Sequence, residues 1–473
     1  MSLRNRNLVT IDDLSNGEIE GLFSLADEMS DSMNEQFGVC QGKIMASLFF
    51  EPSTRTRLSF EVAMHRLGGS VITVSDVGAT SLSKGESIAD MARIVGSYAD
   101  IIIIRHPWEG AAKVVADYAG VPVINAGDGG HEHPTQTLCD LYTLKKELKE
   151  RKGKRSVKGS TVRLLGDLKY GRAVHSLAYG LAKYGAKIRC WPIEGLDMAE
   201  HVLRKLYLDY DCDIDTTSDE GQADVLYISP PPRQLPLLPS VDVDTSVSIG
   251  ISKKALKIDV LYVTRIQKER LPEKGDGAKA ESYQIVNAEF LKKYGLEDAL
   301  IMHPLPRVDE LAYEVDADPR SMYFKQAARG VPVRMALLAL LLGTREVSVP
   351  DEDNSFVQKR DYPIYRRDFG VRCLNSRCVS IQKTETRYIK PEFKLVDREP
   401  LTLRCVYCEH EVQPSYIASS EWHDGRTLDD KKYHRADSHW ARKIKPENLI
   451  LFNTEATAKN SGFKPSHYAR ARH

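Results

Sequence analysis

Between residues 40 and 345, short apolar runs alternate with segments of helical period, the pattern of an α/β architecture. Ile44–Phe50 is the first such run, and its lack of strict alternation predicts a buried parallel strand. Phe60, Ala63, Met64 and Leu67 follow at i, i+3, i+4 and i+7, which predicts a helix ended by Gly68-Gly69. Ile101–Ile104, Val121–Ile124, Val162–Leu165, Val260–Val263 and Ala299–Met302 predict further strands. Met335–Leu342, after Pro332 and before Gly343, predicts a buried helix and is far too short to span a bilayer. No fixed-period repeat is visible. At 473 residues the chain has room for two or three domains.

Each predicted strand delivers a polar cluster at its carboxyl end. Ser53-Thr54-Arg55-Thr56-Arg57 stands where the first strand turns into its helix. Unpaired N–H groups at a helix start favour an anion, and guanidiniums add fixed charge and forked donors. Glycine plays little part, so this is not a Walker loop. Arg105-His106-Pro107 follows the next run, and Asn125–Gly130 with His131-Glu132-His133-Pro134-Thr135-Gln136 the one after. Gly166-Asp167-Leu168-Lys169-Tyr170-Gly171-Arg172, Thr264-Arg265-Ile266-Gln267 and His303-Pro304-Leu305-Pro306-Arg307 complete the set. Taken alone, a Ser-Thr-Arg triplet is consistent with an N-capped surface helix, and any other cluster with a solvated loop. Six clusters in one relation to their strands match the ligand-binding edge of open α/β sheets. Their Arg, Lys, His, Ser and Thr side chains point to a strongly anionic ligand with a carbonyl to polarise.

Composition narrows the classes. Lys plus Arg and Asp plus Glu stand at 66 each, so no global field points to nucleic acid or membrane. Met1-Ser2-Leu3-Arg4-Asn5 lacks the apolar stretch of a signal peptide, and a cytoplasmic protein is expected. Of eight cysteines, Cys40, Cys139, Cys190 and Cys212 are scattered as ordinary small apolar residues. Cys373, Cys378, Cys405 and Cys408 form C-x4-C and C-x2-C pairs, the spacing of a tetrahedral thiolate site for structural zinc. Two disulfides are the alternative, disfavoured in a cytosolic chain with other unpaired cysteines.

The clusters resemble a known family. Ser53–Phe60, Arg105-His106-Pro107 and His133-Pro134-Thr135-Gln136 are similar to the carbamoyl-phosphate site of the transcarbamoylases. The segments at 166–172, 264–267 and 303–307 narrow this to the aspartate carbamoyltransferase catalytic chain, over roughly residues 5–345. The ornithine branch would show His-Cys-Leu-Pro and Ser-Met-Gly segments, whereas position 304 is Pro and no Ser-Met-Gly occurs. The resemblance implies two doubly wound parallel-sheet domains. The carbamoyl-phosphate domain would span 1–140, completed by a helix near 325–345, and the aspartate domain 141–324. It also implies roles. Ser53, Thr54, Arg55, Thr56 and Arg105 would hold phosphate, while Thr56, Arg105 and His133 would donate to the carbamoyl oxygen. Gln136 and the carbonyls of Pro304 and Leu305 would accept from the carbamoyl NH2. Arg172 and Arg265, supported by Gln267, would grip the carboxylates of L-aspartate. Ser81 and Lys84, in Ser81-Leu82-Ser83-Lys84-Gly85-Glu86, would reach a neighbouring subunit's site, giving a trimer or a multiple of trimers. No organic cofactor is implied. Ala173, where the family usually has Thr, and a loop one residue shorter are departures that bear on aspartate binding and on the Lys84 assignment. A catalytically inactive scaffold that kept the fold is the alternative from another class.

Residues 346–370 read as a linker, and 371–473 as a small zinc-bound β domain with a basic extension. The four-cysteine module resembles the zinc domain of the aspartate carbamoyltransferase regulatory chain, here fused to catalytic-type sequence. The nucleotide-binding domain that normally precedes it has no room in the linker, which puts nucleotide regulation in doubt. Lys431, Lys432, Arg435, Arg442, Lys443 and Lys445 leave a nucleic-acid-binding zinc ribbon as the competing reading; the paired cysteines beside catalytic-type sequence favour a docking module.

Overall fold

The apolar runs become strands and the helical-period segments become helices. The computed structural model describes residues 2–32, 37–75, 84–153, 157–169, 171–192, 195–216, 223–229, 258–265, 285–347, 360–367, 369–420, 431–439 and 443–469. The helices are α1 (Asn16–Asp31), α2 (Thr54–Arg66), α3 (Ile88–Tyr98), α4 (Ala111–Tyr118), α5 (Pro134–Lys152), α6 (Arg172–Lys183), α7 (Glu200–Tyr210), α8 (Ala288–Lys293), α9 (Tyr323–Leu341) and α10 (Glu455–Asn460). The strands begin with β1 (Ile44–Phe49), β2 (Ser70–Val74), β3 (Ile101–His106), β4 (Val123–Asp128), β5 (Thr161–Gly166) and β6 (Lys187–Pro192). They continue with β7 (Ile214–Asp215), β8 (Val225–Ser229), β9 (Val260–Val263), β10 (Leu300–Met302), β11 (Ile364–Arg366) and β12 (Glu392–Arg398). The last are β13 (Leu401–Cys405), β14 (Glu411–Val412), β15 (Tyr416–Ser419), β16 (Lys432–Arg435), β17 (Leu449–Phe452) and β18 (Lys464–Pro465). Two compact units result: Met1–Ser75, Tyr98–Arg105 and Val121–Gln358 form the first, and Asp76–Ser97, His106–Gly120 and Lys359–His473 the second.

The first unit holds two sheets. One runs β2-β1-β3-β4, with β1 parallel to β2 (Ile44 beside Ser70) and to β3 (Met45 beside Ile101). The other runs β10-β9-β8-β5-β6-β7, and its pairings are parallel. Its order reverses at β5, since the chain moves to β6 on one side and later returns to β8 on the other. Such a switch point opens a crevice beyond the strand ends. Gly166, ending β5 at φ 100, is required there: a Cβ would lie 1.9 Å from the Ser229 carbonyl oxygen. Asp167 N then donates to the same Ser229 carbonyl oxygen at 3.1 Å. Helix α9 packs against α1, α2 and α5 and carries fully buried Leu337, Leu338, Leu340 and Leu341. It starts at Tyr323 and contains Pro332, so the expected helix extends upstream of that proline. Likewise β4 incorporates Asn125–Asp128, which the polarity pattern placed after the strand.

The second unit carries two more sheets, β11-β12-β13-β14 and β17-β15-β16-β18. The first is antiparallel throughout, and β11 lies inside the stretch read as linker. The second closes over its own core of Ala418, Tyr433, Ile450, Phe452, Ala458 and Phe463. The region read as a basic extension is therefore a folded layer. Among the described residues, no helix is long and apolar enough to cross a membrane.

Candidate functional site

Ser53 is the N-cap of helix α2; its backbone is extended (φ −161, ψ 94) and its hydroxyl makes no capping bond. The leading N–H groups of a helix have no intrahelical acceptor, so this start is open to an anion. A cavity of about 500 Å³ forms around it, lined by Ser53, Thr54, Arg55 and Thr56, with Arg105 from the end of β3. His133 and Gln136 enter from the start of α5, Arg172 from the start of α6, and Arg265 from beyond β9. Pro304 and Leu305 close it from the loop after β10. Lys84 belongs to the second unit, where it is exposed. Ser81 and Gln267 lie outside the described residues.

The cavity concentrates positive charge. Arg55, Arg105, Arg172, Arg265 and Arg334 all line it. Burial and then the Arg172 charge bring Arg105 down to about 10, with Glu51 opposing the change. Burial and the nearby Arg265 lower Arg55 in the same direction. One oxygen of Glu51 holds Arg105 at 2.6 Å and Arg172 at 3.0 Å. Burial alone would raise the Glu51 carboxyl, but Arg172 and Arg105 hold it below the usual carboxylate range. Arg105 Nε is buried without a partner among the described residues, a donor that a bound anion would satisfy. His133 is pushed well below the ordinary imidazole value by burial and by Arg105, Arg172 and Arg334. It is therefore neutral at physiological pH. Its Nδ1 lies 3.4 Å from the Thr135 hydroxyl; with that hydroxyl donating, the imidazole proton sits on Nε2.

A second network holds Gln136, His303 and Leu305 of the same lining. Asp140 Oδ1 accepts from Gln136 Nε2 at 2.8 Å and from Gln326 Nε2 at 2.7 Å, and Oδ2 accepts from Tyr262 Oη at 2.9 Å. Because a carboxylate takes the Gln136 NH2, the amide oxygen of Gln136 is left to accept from something else. Gln326 Oε1 in turn accepts from His303 N at 3.1 Å. His303 Nδ1 accepts from Leu305 N at 2.8 Å, so its Nε2 donates to Glu310 at 2.8 Å. Leu305 sits at φ 54, a left-handed conformation that leucine adopts rarely and that these bonds hold in place. Asp140, Gln326, Tyr262, Glu51 and Arg334 were not among the expected site residues. Asp140 stands one helical turn from Gln136, and Glu51 precedes the Ser-Thr-Arg run; only those two carried a usable spacing signal.

The four expected metal ligands converge in the second unit. Cys373 and Cys408 sulfurs lie 3.5 Å apart and Cys378 and Cys405 sulfurs 3.8 Å apart, and all four, buried, fall within 4.8 Å of one another. Zinc–sulfur bonds of about 2.3 Å in a tetrahedron require sulfur–sulfur edges of about 3.8 Å, so the cluster fits such an ion.

A family profile described as "Aspartate/ornithine carbamoyltransferase, carbamoyl-P binding domain" matches residues 6–146, and its "Asp/Orn binding domain" counterpart matches 242–341. A third, "Aspartate carbamoyltransferase regulatory chain, metal binding domain", matches 367–418. The aspartate carbamoyltransferase catalytic subunit of Thermococcus kodakarensis is 46% identical over 345 residues, covering 72% of this chain and 99% of the relative. The solved catalytic subunit of M. jannaschii aspartate transcarbamoylase is 40% identical, with a TM-score of 0.55, covering 72% of this chain and 98% of that one. A Trypanosoma cruzi aspartate transcarbamoylase solved with carbamoyl phosphate is 36% identical, with a TM-score of 0.58, covering 72% and 97%.

Proposed function

The chain belongs to the aspartate carbamoyltransferase family, with a metal-binding domain of the regulatory-chain type in the same polypeptide, and from that premise we propose the following reaction. The enzyme transfers the carbamoyl group of carbamoyl phosphate to the amine of L-aspartate, giving N-carbamoyl-L-aspartate and phosphate, a step of pyrimidine biosynthesis. One observation carries the reading: a helix start with an unused Ser53 hydroxyl, clustered arginines, a neutral histidine and an oriented glutamine face one cavity.

Each group has a physical task. Carbamoyl phosphate binds first, its phosphate against Ser53, Thr54, Arg55, Thr56 and Arg105. Neutral His133 donates from Nε2 to the carbamoyl oxygen, together with Thr56 and Arg105. These donors strengthen as that oxygen becomes an oxyanion. The Gln136 oxygen and the carbonyls of Pro304 and Leu305 accept from the carbamoyl NH2. Arg172 and Arg265, with Gln267, hold the aspartate carboxylates, and Lys84 and Ser81 complete the site from a neighbouring chain in a trimer. The α-amine attacks the carbonyl carbon, a C–N bond forms, the C–O bond to phosphate breaks, and the amine releases a proton. Positioning and preorganised charge supply the rate.

With this reaction go a division at residues 140/141 and 324/325 into carbamoyl-phosphate and aspartate domains, and a cytoplasmic location. The ion held by Cys373, Cys378, Cys405 and Cys408 is structural zinc, which supplies folding energy to a small module. The test is turnover of purified chain with carbamoyl phosphate and either L-aspartate or L-ornithine. Product with aspartate alone is expected; product with ornithine alone, or none with either, would overturn the proposal.

A further inference from the structure

The metal-binding module is seated on α3 and α4 within the second unit, and one of its contacts has a specific geometry. Glu109 N donates to Arg377 O at 2.9 Å, and Val379 N donates to Glu109 O at 2.9 Å, on either side of the ligand Cys378. Asn375 Nδ2 donates to Glu109 Oε2 at 2.6 Å. Next to this ladder, Gly110 at φ 86 packs so closely on Tyr407 that a Cβ would lie 2.6 Å from the tyrosine Cβ. Arg93 of α3 stands over the rings of Tyr118 (4.7 Å) and Tyr388 (5.9 Å), and Tyr118 Oη donates to Tyr388 O at 3.0 Å.

Beyond these docking contacts, Glu385 reaches the first turn of α3. Both of its carboxylate oxygens lie 3.1 Å from Ile88 N, and Ala89 N also donates to it. Ser87 Oγ takes the following free donor, Asp90 N, at 3.0 Å. The orphan N–H groups of α3 are thus shared between a local serine and a carboxylate from far along the sequence. Glu385 is 1% exposed, and Thr384 Oγ1 donates to it at 2.9 Å, so its position is set by the module. A carboxylate at a helix start is favoured by the unpaired donors and by the helix dipole. The chain immediately before this turn is Lys84-Gly85-Glu86-Ser87.

We propose that Glu385 is a positioning residue for the reaction: by capping α3 it fixes the segment that carries Lys84, so the fused module sets the geometry of a lysine it does not touch. The inference rests on the reading of Lys84 given above. Fusion then has a consequence for activity, because every chain carries its own cap.

The test is a double-mutant cycle on the full-length, metal-loaded chain. Glu385→Ala is expected to lower kcat about tenfold, the scale of losing one good helix cap, with KM for carbamoyl phosphate nearly unchanged. Glu385→Gln, which keeps an acceptor, is expected to retain most of the activity. In a Lys84→Ala background the Glu385→Ala effect should vanish, since the two act through one element. Amide exchange at Ile88 and Ala89 should accelerate in Glu385→Ala while zinc content is kept; if that variant loses zinc, Glu385→Gln is compared instead, whose single remaining oxygen should raise exchange and lower kcat by matching small factors, and a large loss of kcat at wild-type exchange would overturn the proposal. Asn375→Ala removes a docking bond without touching the cap and should leave kcat unchanged; an equal fall there would overturn the proposal. Losses from Lys84→Ala and Glu385→Ala that simply multiply would overturn it while leaving Lys84 in the site. A Lys84→Ala chain at wild-type rate would instead refute the underlying reading of Lys84.

Discussion

Replacing Asp140 by asparagine separates positioning from stability. Asp140 is fully buried, and burial pushes its carboxyl up from 3.8 to about 6, against the opposing pull of the Gln326, Gln136 and Tyr262 donors and of Arg334. A folded-state value about two units above the unfolded one makes the ionised form cost roughly 3 kcal/mol. The associated stability is present below about pH 4 and is lost as pH rises through about 6. Asparagine cannot ionise, so at pH 7 it avoids that cost. It offers one acceptor and an NH2 to three donors, so at least one loses a bond to a charged group, worth about 1.5–3 kcal/mol. The two terms nearly cancel, and unfolding stability at pH 7 should change by about 1 kcal/mol or less. Activity should not be spared. Once Gln136 is free to turn its NH2 toward the substrate NH2, an acceptor becomes a repelling donor, and kcat should fall about 10- to 100-fold. In the wild type, kcat/KM should decline below about pH 6 as Asp140 takes up a proton and stops accepting; Asp140→Asn should lack that limb. Urea unfolding at pH 5 and pH 7, with pH–rate profiles from 5 to 9, measures both. Wild-type kcat in Asp140→Asn, or an unchanged acid limb, would refute the reasoning.

Other outcomes follow from the same geometry. Arg55→Ala should lower kcat about 100-fold or more, because Arg55 lines the cavity and in the proposed reaction holds the leaving phosphate in the transition state as well as the ground state; near-normal turnover at saturating carbamoyl phosphate would remove it from the mechanism. Mixing the strongly impaired Lys84→Ala chains with the strongly impaired Arg55→Ala chains should restore part of the lost activity through hybrid sites, and mixtures no faster than the two parents after verified exchange would place each site within one chain. Cys405→Ser should abolish stoichiometric zinc binding and expose the β11–β14 sheet to proteolysis, since thiolate–zinc bonding drives folding of so small a module; unchanged metal content and protection would exclude a structural zinc site there.

Much of the candidate site was legible because the residues lining its cavity sit at strand ends. A buried parallel strand is an apolar run, and the residue after it reaches the ligand edge of the sheet, so Arg105, Arg172, Arg265 and the 303–307 segment could be read in order. The Ser53–Arg57 helix start was visible for the same reason. What escaped were groups that meet only in three dimensions. Tyr262 belongs to a strand interior, Gln326 to α9 and Asp140 to α5, and only the fold brings them within 3 Å. Nor could local polarity place the ends of β4 and α9. The strand keeps Asn125 because that side chain bonds Val9 O and Asp128 at 2.9 Å each inside the core. The helix keeps Pro332 because tight packing against α1, α2 and α5 outweighs one missing hydrogen bond. The spacing of the four cysteines announced their clustering, but Glu385 looked like one acidic residue among many until its carboxylate was found on α3.

The central claim is that a carbamoyl carbon passes to the aspartate nitrogen in this cavity. Mixing the purified chain with [13C]carbamoyl phosphate and [15N]L-aspartate and following the reaction by NMR tests it most directly. A 13C signal split by one-bond coupling to 15N, growing in step with inorganic phosphate in the wild type and about 100-fold more slowly with Arg55→Ala, is the predicted result. Phosphate release without 13C–15N coupling, or coupling formed equally fast when Arg55 is removed, would contradict it.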